Sequence, residues 1–294
     1  MKSTNKTKSF STFRLIISIA LVLVTLSMVL PLLMVLSTSF APEAEVIKYG
    51  LRIVPTTGIS FESYKYIFQA SSGFISSFWV SIFITVAGTA IGLIVTCLMA
   101  YPMSKYQMPG RKIIFMYCFF TMLFSGGLIP TFMVVRAVGL YNSIWALIIP
   151  SAMNVWYMIL MTNFFASIPD SLEESATIDG ATSLQILMKI IIPLSLPAIA
   201  TISLFYAVMY WNSWFPAVIY LNDRSKYPMQ TLLRELLYSS FGSLMEIDAT
   251  NIVEPPGTSV RSAAIVVTTF PIICIYPFVQ KYFVKGVMIG AVKG

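Results

Sequence analysis

The polar residues best spaced to do work lie in one loop. Residues 168–182 read Ile-Pro-Asp-Ser-Leu-Glu-Glu-Ser-Ala-Thr-Ile-Asp-Gly-Ala-Thr and hold Asp170, Glu173, Glu174 and Asp179. Ser171 followed three residues later by Glu174 is the pattern in which side chains satisfy the free N–H groups of a helix start. Gly180 stands where a helix stop belongs, since glycine tolerates the left-handed turn. The spacing predicts a short helix over about 172–179, with a second running from about Ser183 into Pro193. Leu172 and Ala176 share one face, while Glu173 and Asp179 point elsewhere. By local signals alone this is an ordinary capped connector, with chemistry of contact rather than of bond-breaking.

A second group pairs aromatic rings with amides. Tyr210, Trp211, Asn212 and Trp214 crowd one apolar segment, and Asn154, Trp156 and Tyr157 another. Sugars are held by stacking on aromatic faces and by hydrogen bonds from polar tips. An amide in hydrocarbon must find a partner or line a cavity. The same aromatics also suit an interfacial belt or helix packing, so both readings stand at this point.

Catalytic sets are missing. The chain contains no histidine, the usual general base and metal ligand. It has no GxxxxGK[ST] phosphate loop, so it does not hydrolyse ATP by that route. Cys97, Cys118 and Cys274 each sit in an apolar stretch and read as small buried hydrophobes rather than a disulfide or metal site. No catalytic, cofactor or metal residue is expected.

The elements that must carry these residues are membrane spans. Of 294 residues, 57% are hydrophobic and only 11% charged, well under the quarter or so usual in soluble domains. Apolar segments at roughly 15–39, 75–102, 113–135, 143–166, 195–221 and 262–281 approach or exceed the ~20 residues needed to cross a bilayer. The first run, Phe13 to about Phe40, is too long for a signal-peptide core and reads as a retained helix. Gly88 and Gly92 in the second segment have a spacing that lets helix backbones approach.

The net charge of +7 is dispersed, with no basic face for nucleic acid. Lys2, Lys6, Lys8, Arg14, Lys105, Arg111, Lys112, Lys281, Lys285 and Lys293 fall on one side of six spans. The excess of cationic residues on inner loops predicts that both termini are cytoplasmic. Apart from Arg136 near a span end, no Asp, Glu, Lys or Arg stands deep in a span. Proton relays and ion-coupled carriers place such groups there despite their cost. Uphill movement of a solute by this chain would therefore draw its energy from another protein.

The run Glu174-Ser-Ala, three residues, Gly180, nine residues, Ile190-x-Ile192-Pro193 resembles the EAA loop of bacterial ATP-binding-cassette (ABC) importer permeases. Ser175 replaces an alanine of that pattern, and Ile192 a leucine. Ala100-Tyr-Pro-Met-Ser-Lys105 with Pro109-Gly-Arg111, the end from Gln280 to Gly294, and Ser125-Gly-Gly-Leu-Ile-Pro130 are similar to the carbohydrate branch, and to its poly- and oligosaccharide importers. The resemblance covers nearly the whole chain.

It implies an all-α polytopic membrane protein with six transmembrane helices, the type I ABC importer transmembrane fold. Residues 1–14 and 282–294 would be cytoplasmic ends, 15–39 the first span, and 75–281 a five-helix core with the coupling loop 168–193. The coupling residues implied are Glu173, Glu174, Ser175, Ala176, Asp179, Gly180, Ala181, Ile190 and Pro193. The implied function is a permease subunit of the bacterial cell membrane that forms half of a carbohydrate pathway. Its partners would be a second homologous permease, a dimer of a cytoplasmic ATPase and an extracellular sugar-binding protein. ATP would be bound by the separate ATPase, leaving this chain without a cofactor and not an enzyme. Asn154, Tyr210, Trp211, Asn212 and Trp214 are the candidate pathway residues. The competing readings are a permease for a non-sugar solute, an ion-coupled carrier and a membrane-embedded enzyme.

Overall fold

The computed structural model describes residues 12–56, 58–69, 73–242 and 257–291, with side chains described for 13–56, 58–69, 73–238 and 257–275. Lys2, Lys6, Lys8 and Lys293 lie outside the described residues, and so does most of the loop before the last helix. The side chains of Lys281 and Lys285 are likewise not described.

Every regular element among the described residues is helical. Apolar segments without strand-like alternation must satisfy their backbone groups internally, and a helix does so. Three helices are long and apolar enough to cross a membrane unbroken: Phe13–Ser39, Phe74–Ser104 and Thr258–Ile275. Three further helix pairs pass the same test with a bend between them, giving six spans if each pair is one. Three of the expected spans are thus interrupted rather than straight.

The breaks have local causes. Residues 113–135 divide into Arg111–Leu123 and Leu128–Ala137, bent by 116°. Between them the backbone turns extended at Phe124, and Ser125-Gly126-Gly127 follows, with Gly127 at φ +89° just before Leu128, a conformation that glycine adopts readily. Residues 143–166 divide near Asn154, which is extended and caps Val155–Phe165. Residues 195–221 become Leu196–Trp211, entered from Ser183–Leu194 through an 85° bend, and then a separate helix, Phe215–Tyr220, that starts at a proline. Leu196 and Pro197 restart the helix at a position where the missing proline N–H costs nothing.

The chain forms two compact units, residues 1–69 with 239–267, and 70–238 with 268–294. In the first, α1 (Thr12–Ser39) exposes its apolar side chains along nearly its whole length, as expected of a helix whose solvent is lipid. Beyond it, α2 (Glu43–Tyr49) and α3 (Glu62–Phe68) close a polar cluster. Glu45 accepts from the backbone and hydroxyl of Thr56 at 2.6 and 2.7 Å. Glu43 accepts from the N–H groups of Thr258 and Ser259, both at 2.8 Å, where the last helix begins and a carboxylate is favoured.

The second unit holds α4 (Phe74–Ser104), α5 (Arg111–Leu123), α6 (Leu128–Ala137), α7 (Trp145–Ile148), α8 (Val155–Phe165), α9 (Asp170–Ile178), α10 (Ser183–Leu194), α11 (Leu196–Trp211), α12 (Phe215–Tyr220) and α13 (Met229–Gly242). The last helix, α14 (Thr258–Ala291), continues into it. At the centre α4 lies against α11 and α8. Gly88 and Gly92 make that contact possible. A Cβ on Gly88 would meet the Tyr210 ring at 2.7 Å, and one on Gly92 the Tyr206 ring at 2.8 Å. The small-residue pair therefore packs one span of this chain onto another.

Candidate functional site

The loop after α8 folds as a short exposed helix on a bent arm. Pro169, with extended backbone, sets the start of α9 at Asp170, because the proline ring fixes φ and keeps the preceding residue out of the helix. The expected capping pair of Ser171 and Glu174 does not form, since the helix already includes both residues. Ser171 accepts instead, through its backbone oxygen, from the Ser175 hydroxyl. The reciprocal cap occurs one element later. The Gln185 side chain accepts from the Thr182 N–H at 2.8 Å, and the Gln185 N–H donates to the Thr182 hydroxyl at 3.4 Å.

The C-terminal end of α9 closes as the spacing predicts. Gly180 takes φ +83°. Its N–H donates to the Thr177 carbonyl at 3.0 Å, and the Ala181 N–H reaches back to the Ala176 carbonyl at 2.9 Å. These two bonds are the paired closure of a Schellman stop. Glycine is required here for its backbone conformation, not for space: a Cβ at Gly180 would meet nothing within 4 Å. After it, α10 contains a π turn over Leu187–Ile191 just before Pro193.

The helix has two distinct faces. Ala176, Ala181 and Ile190 pack against the apolar core. Glu174, Ser175, Asp179, Gly180 and Pro193 are exposed. Glu173 is turned inward, its side chain only 13% exposed. Lys105 forms an ion pair with it, and the Tyr101 hydroxyl donates to its other oxygen at 3.2 Å. The expectation that Leu172 and Ala176 share one face, with Glu173 elsewhere, therefore fails: Glu173 and Ala176 turn inward, and Leu172 is exposed. The outward face also carries apolar residues. Ile178 is 86% exposed, and Leu172, Leu184 and Met188 are exposed beside it in sequence. The sequence reading omitted Ile178 and Leu184, whose bulk beside Gly180 was the available signal.

The aromatic group is more internal than its composition suggests. Tyr210 is buried, and its hydroxyl donates to the Ile148 carbonyl at 3.2 Å. Trp211 is buried, and its indole N–H donates to the Thr268 carbonyl at 3.2 Å. Asn154 accepts from the Tyr157 N–H through its side chain, while its own N–H donates to the Tyr206 hydroxyl at 3.0 Å. Tyr206 also hydrogen-bonds Thr96 at 2.8 Å in a fully buried contact. It was not singled out from the sequence, though its four-residue spacing from Tyr210 matches that of Gly92 and Gly88. Asn212 is exposed and its amide donates to the Val208 carbonyl. Trp214 is half-buried beneath the Arg234 guanidinium, 3.9 Å from the ring centre.

Beside these residues lies a cavity of about 460 Å³, lined by Thr85, Tyr157, Phe205, Val208, Trp211 and Pro271 among others. The Thr85 hydroxyl has no hydrogen-bond partner among the described residues. At the turn between α12 and α13, hydrogen bonds from Ser225, and then the neighbouring Lys226, hold the Asp223 carboxyl below its usual range. Among the described residues no group of three His, Cys, Asp or Glu side chains is placed to hold a metal ion.

Comparison with known proteins follows the same direction. The chain is 48% identical over 277 residues to the polygalacturonan/rhamnogalacturonan transport system permease protein YtcP of Bacillus subtilis strain 168, covering 93% of this chain and 96% of that one. It is 45% identical over 266 residues to protein LplC of the same organism, covering 90% of each. Its fold matches the crystal structure of a bacterial ABC transporter involved in the import of the acidic polysaccharide alginate. The TM-score is 0.82 at 33% identity, covering 92% of this chain and 96% of that one. No protein-family model matches the chain. A membrane-spanning helical core, an exposed helix closed at Gly180 and relatives of this similarity define the class: the chain belongs to the carbohydrate-importing permeases of bacterial ABC transporters.

Proposed function

We propose that this permease carries oligosaccharides bearing uronic acid residues, and that ATP drives it through the helix Asp170–Ile178. The observation that carries the coupling reading is the form of that helix. It is short, closed at both ends by defined backbone geometry, packed inward through Ala176 and Ala181, and exposed outward through Glu174 and Ile178. A stiff projection of this kind suits a socket on a cytoplasmic ATPase. The substrate class is drawn from the relatives, whose names specify polygalacturonan, rhamnogalacturonan and acidic alginate.

The complete transporter is then this chain, a second homologous permease, two copies of the ATPase and an extracellular binding protein. Both termini are cytoplasmic, following the cationic residues around Lys105 and Arg111. Glu174, Ser175, Asp179 and Gly180 face the ATPase. Glu173, Ala176, Ala181, Ile190 and Pro193 hold the helix to the spans or shape its arm. Asn154, Tyr210 and Trp211 support the wall of the pathway through their hydrogen bonds, while Asn212 and Trp214 remain candidates to meet sugar directly.

The test of coupling uses Gly180→Val and Ile178→Asp in the intact importer. A branched residue in a left-handed turn is strained, so Gly180→Val is expected to leave membrane insertion intact and abolish sugar uptake. Ile178→Asp is expected to weaken co-purification of the ATPase. Normal uptake by Gly180→Val with the ATPase bound as in wild type would make the loop a mere connector.

A further inference from the structure

We propose that Lys105 and Glu173 form the joint through which motion of α9 enters the membrane core, so that α4 is the span driven by the ATPase. The inference rests on the coupling reading above and adds the element that receives the movement.

Three observations carry it. First, the pair is local to neither element. Lys105 closes the end of α4 and Glu173 lies in α9, and the two are 68 residues apart in sequence. Second, the pair is built in rather than incidental. The Glu173 side chain is largely withdrawn from solvent, Tyr101 donates to its second oxygen, and the Lys105 ammonium also lies 5.2 Å from the Tyr101 ring centre. Arg111 fixes the adjoining turn by donating to the Met103 carbonyl at 2.7 Å. A surface ion pair contributes little, but one that is shielded and further hydrogen-bonded strongly resists losing one partner. Third, α4 leads onward. Its glycines seat the Tyr206 and Tyr210 rings of α11, and its Ser81 hydroxyl accepts from the Met229 N–H at 2.7 Å.

A displacement of α9 therefore has a direct grip on α4. Without the pair, α9 would act through the packing of Ala176 and through the turns joining it to α8 and α10, with no polar tie to the end of α4. Those turns contain Pro169 and Gly180. Lys105 and Glu173 are positioning residues, since neither is argued to touch sugar or nucleotide.

The experiment uses the complete importer in proteoliposomes, with uptake of an oligogalacturonate and ATP hydrolysis measured in the same vesicles. The variants are Lys105→Glu, Glu173→Lys, the double reversal, and the neutral pair Lys105→Met with Glu173→Gln. Each single reversal is expected to lower sugar moved per ATP at least about fivefold, the lower end of ordinary coupling between sites, with the ATPase still co-purifying. The double reversal is expected to recover most of the loss. If a single reversal fails to insert, the neutral pair reads the same quantity and is expected to lower the ratio. An unchanged ratio in the single reversals or the neutral pair overturns the joint. So does a double reversal that assembles but recovers nothing. Loss of the ATPase with Glu173→Lys but not with Lys105→Glu overturns it as well, because Glu173 would then meet the ATPase itself. Gly180→Val run alongside separates the two claims: a wild-type ratio there sinks the coupling reading, whereas a defect there with normal reversals sinks only the joint.

Discussion

Tyr206 shows how much one hydroxyl can organise inside a bilayer. Its oxygen meets the Asn154 N–H and the Thr96 hydroxyl, two groups on different spans, and its ring rests on Gly92. Hydrocarbon offers no replacement partner, so Tyr206→Phe leaves a backbone donor and a hydroxyl poorly satisfied. The expected cost is about 1–3 kcal/mol, read as a lower unfolding temperature of the detergent-purified complex with near-normal assembly. A melting temperature equal to wild type would show that Asn154 finds another acceptor. Gly92→Leu is expected to do more, since the added carbons would enter the tyrosine ring and no helix shift is free of the neighbouring Gly88 contact. The check is the yield of folded protein in membranes. Sequence reasoning found the two glycines and Tyr210 but not Tyr206, because spacing alone does not say which two periodic rows face one another.

At the scale of elements, the loop around α9 divides into what spacing can show and what it cannot. Gly180 was legible as a stop because a helix that ends in a left-handed residue needs glycine there. The start was misplaced, because Ser171 and Glu174 match a capping pattern that Pro169 pre-empts by beginning the helix two residues earlier. The reciprocal cap of Thr182 and Gln185 fixes the second arm instead. Thr182→Val combined with Gln185→Leu is expected to weaken that arm by about 1 kcal/mol, the ordinary worth of a cap. Faster amide hydrogen exchange in α10, with α9 unchanged, is the measurement that checks it. Equal exchange in both helices would mean that packing of Ile186 and Leu187 alone holds the arm.

The span breaks belong to the same scale. An apolar window shows that a segment can cross, but the bend at Ser125-Gly-Gly depends on backbone angles that hydropathy does not record. Glu173 marks a further limit. Helical spacing set it away from the face of Ala176, and only the positions of Lys105 and Tyr101 show that it turns inward.

At the scale of the whole molecule, the described residues form apolar helices, with a shielded ion pair at the end of α4 and the short exposed helix α9. Composition made the membrane class legible, and the EAA-like spacing made the family legible, because both are properties of the chain rather than of its folded contacts. The arrangement of termini is tested simply: a reporter after Gly294 that is active only in the cytoplasm is expected, and alkaline phosphatase activity of the same fusion outside the membrane would reverse the topology. The central claim, that this permease moves an acidic oligosaccharide only when an ATPase drives it, is tested most directly by one uptake measurement. Proteoliposomes holding the complete importer and its binding protein are given labelled oligogalacturonate, with either ATP on the ATPase side or an imposed pH gradient and no ATP. Accumulation with ATP alone is the predicted result; accumulation with the pH gradient alone would contradict the account.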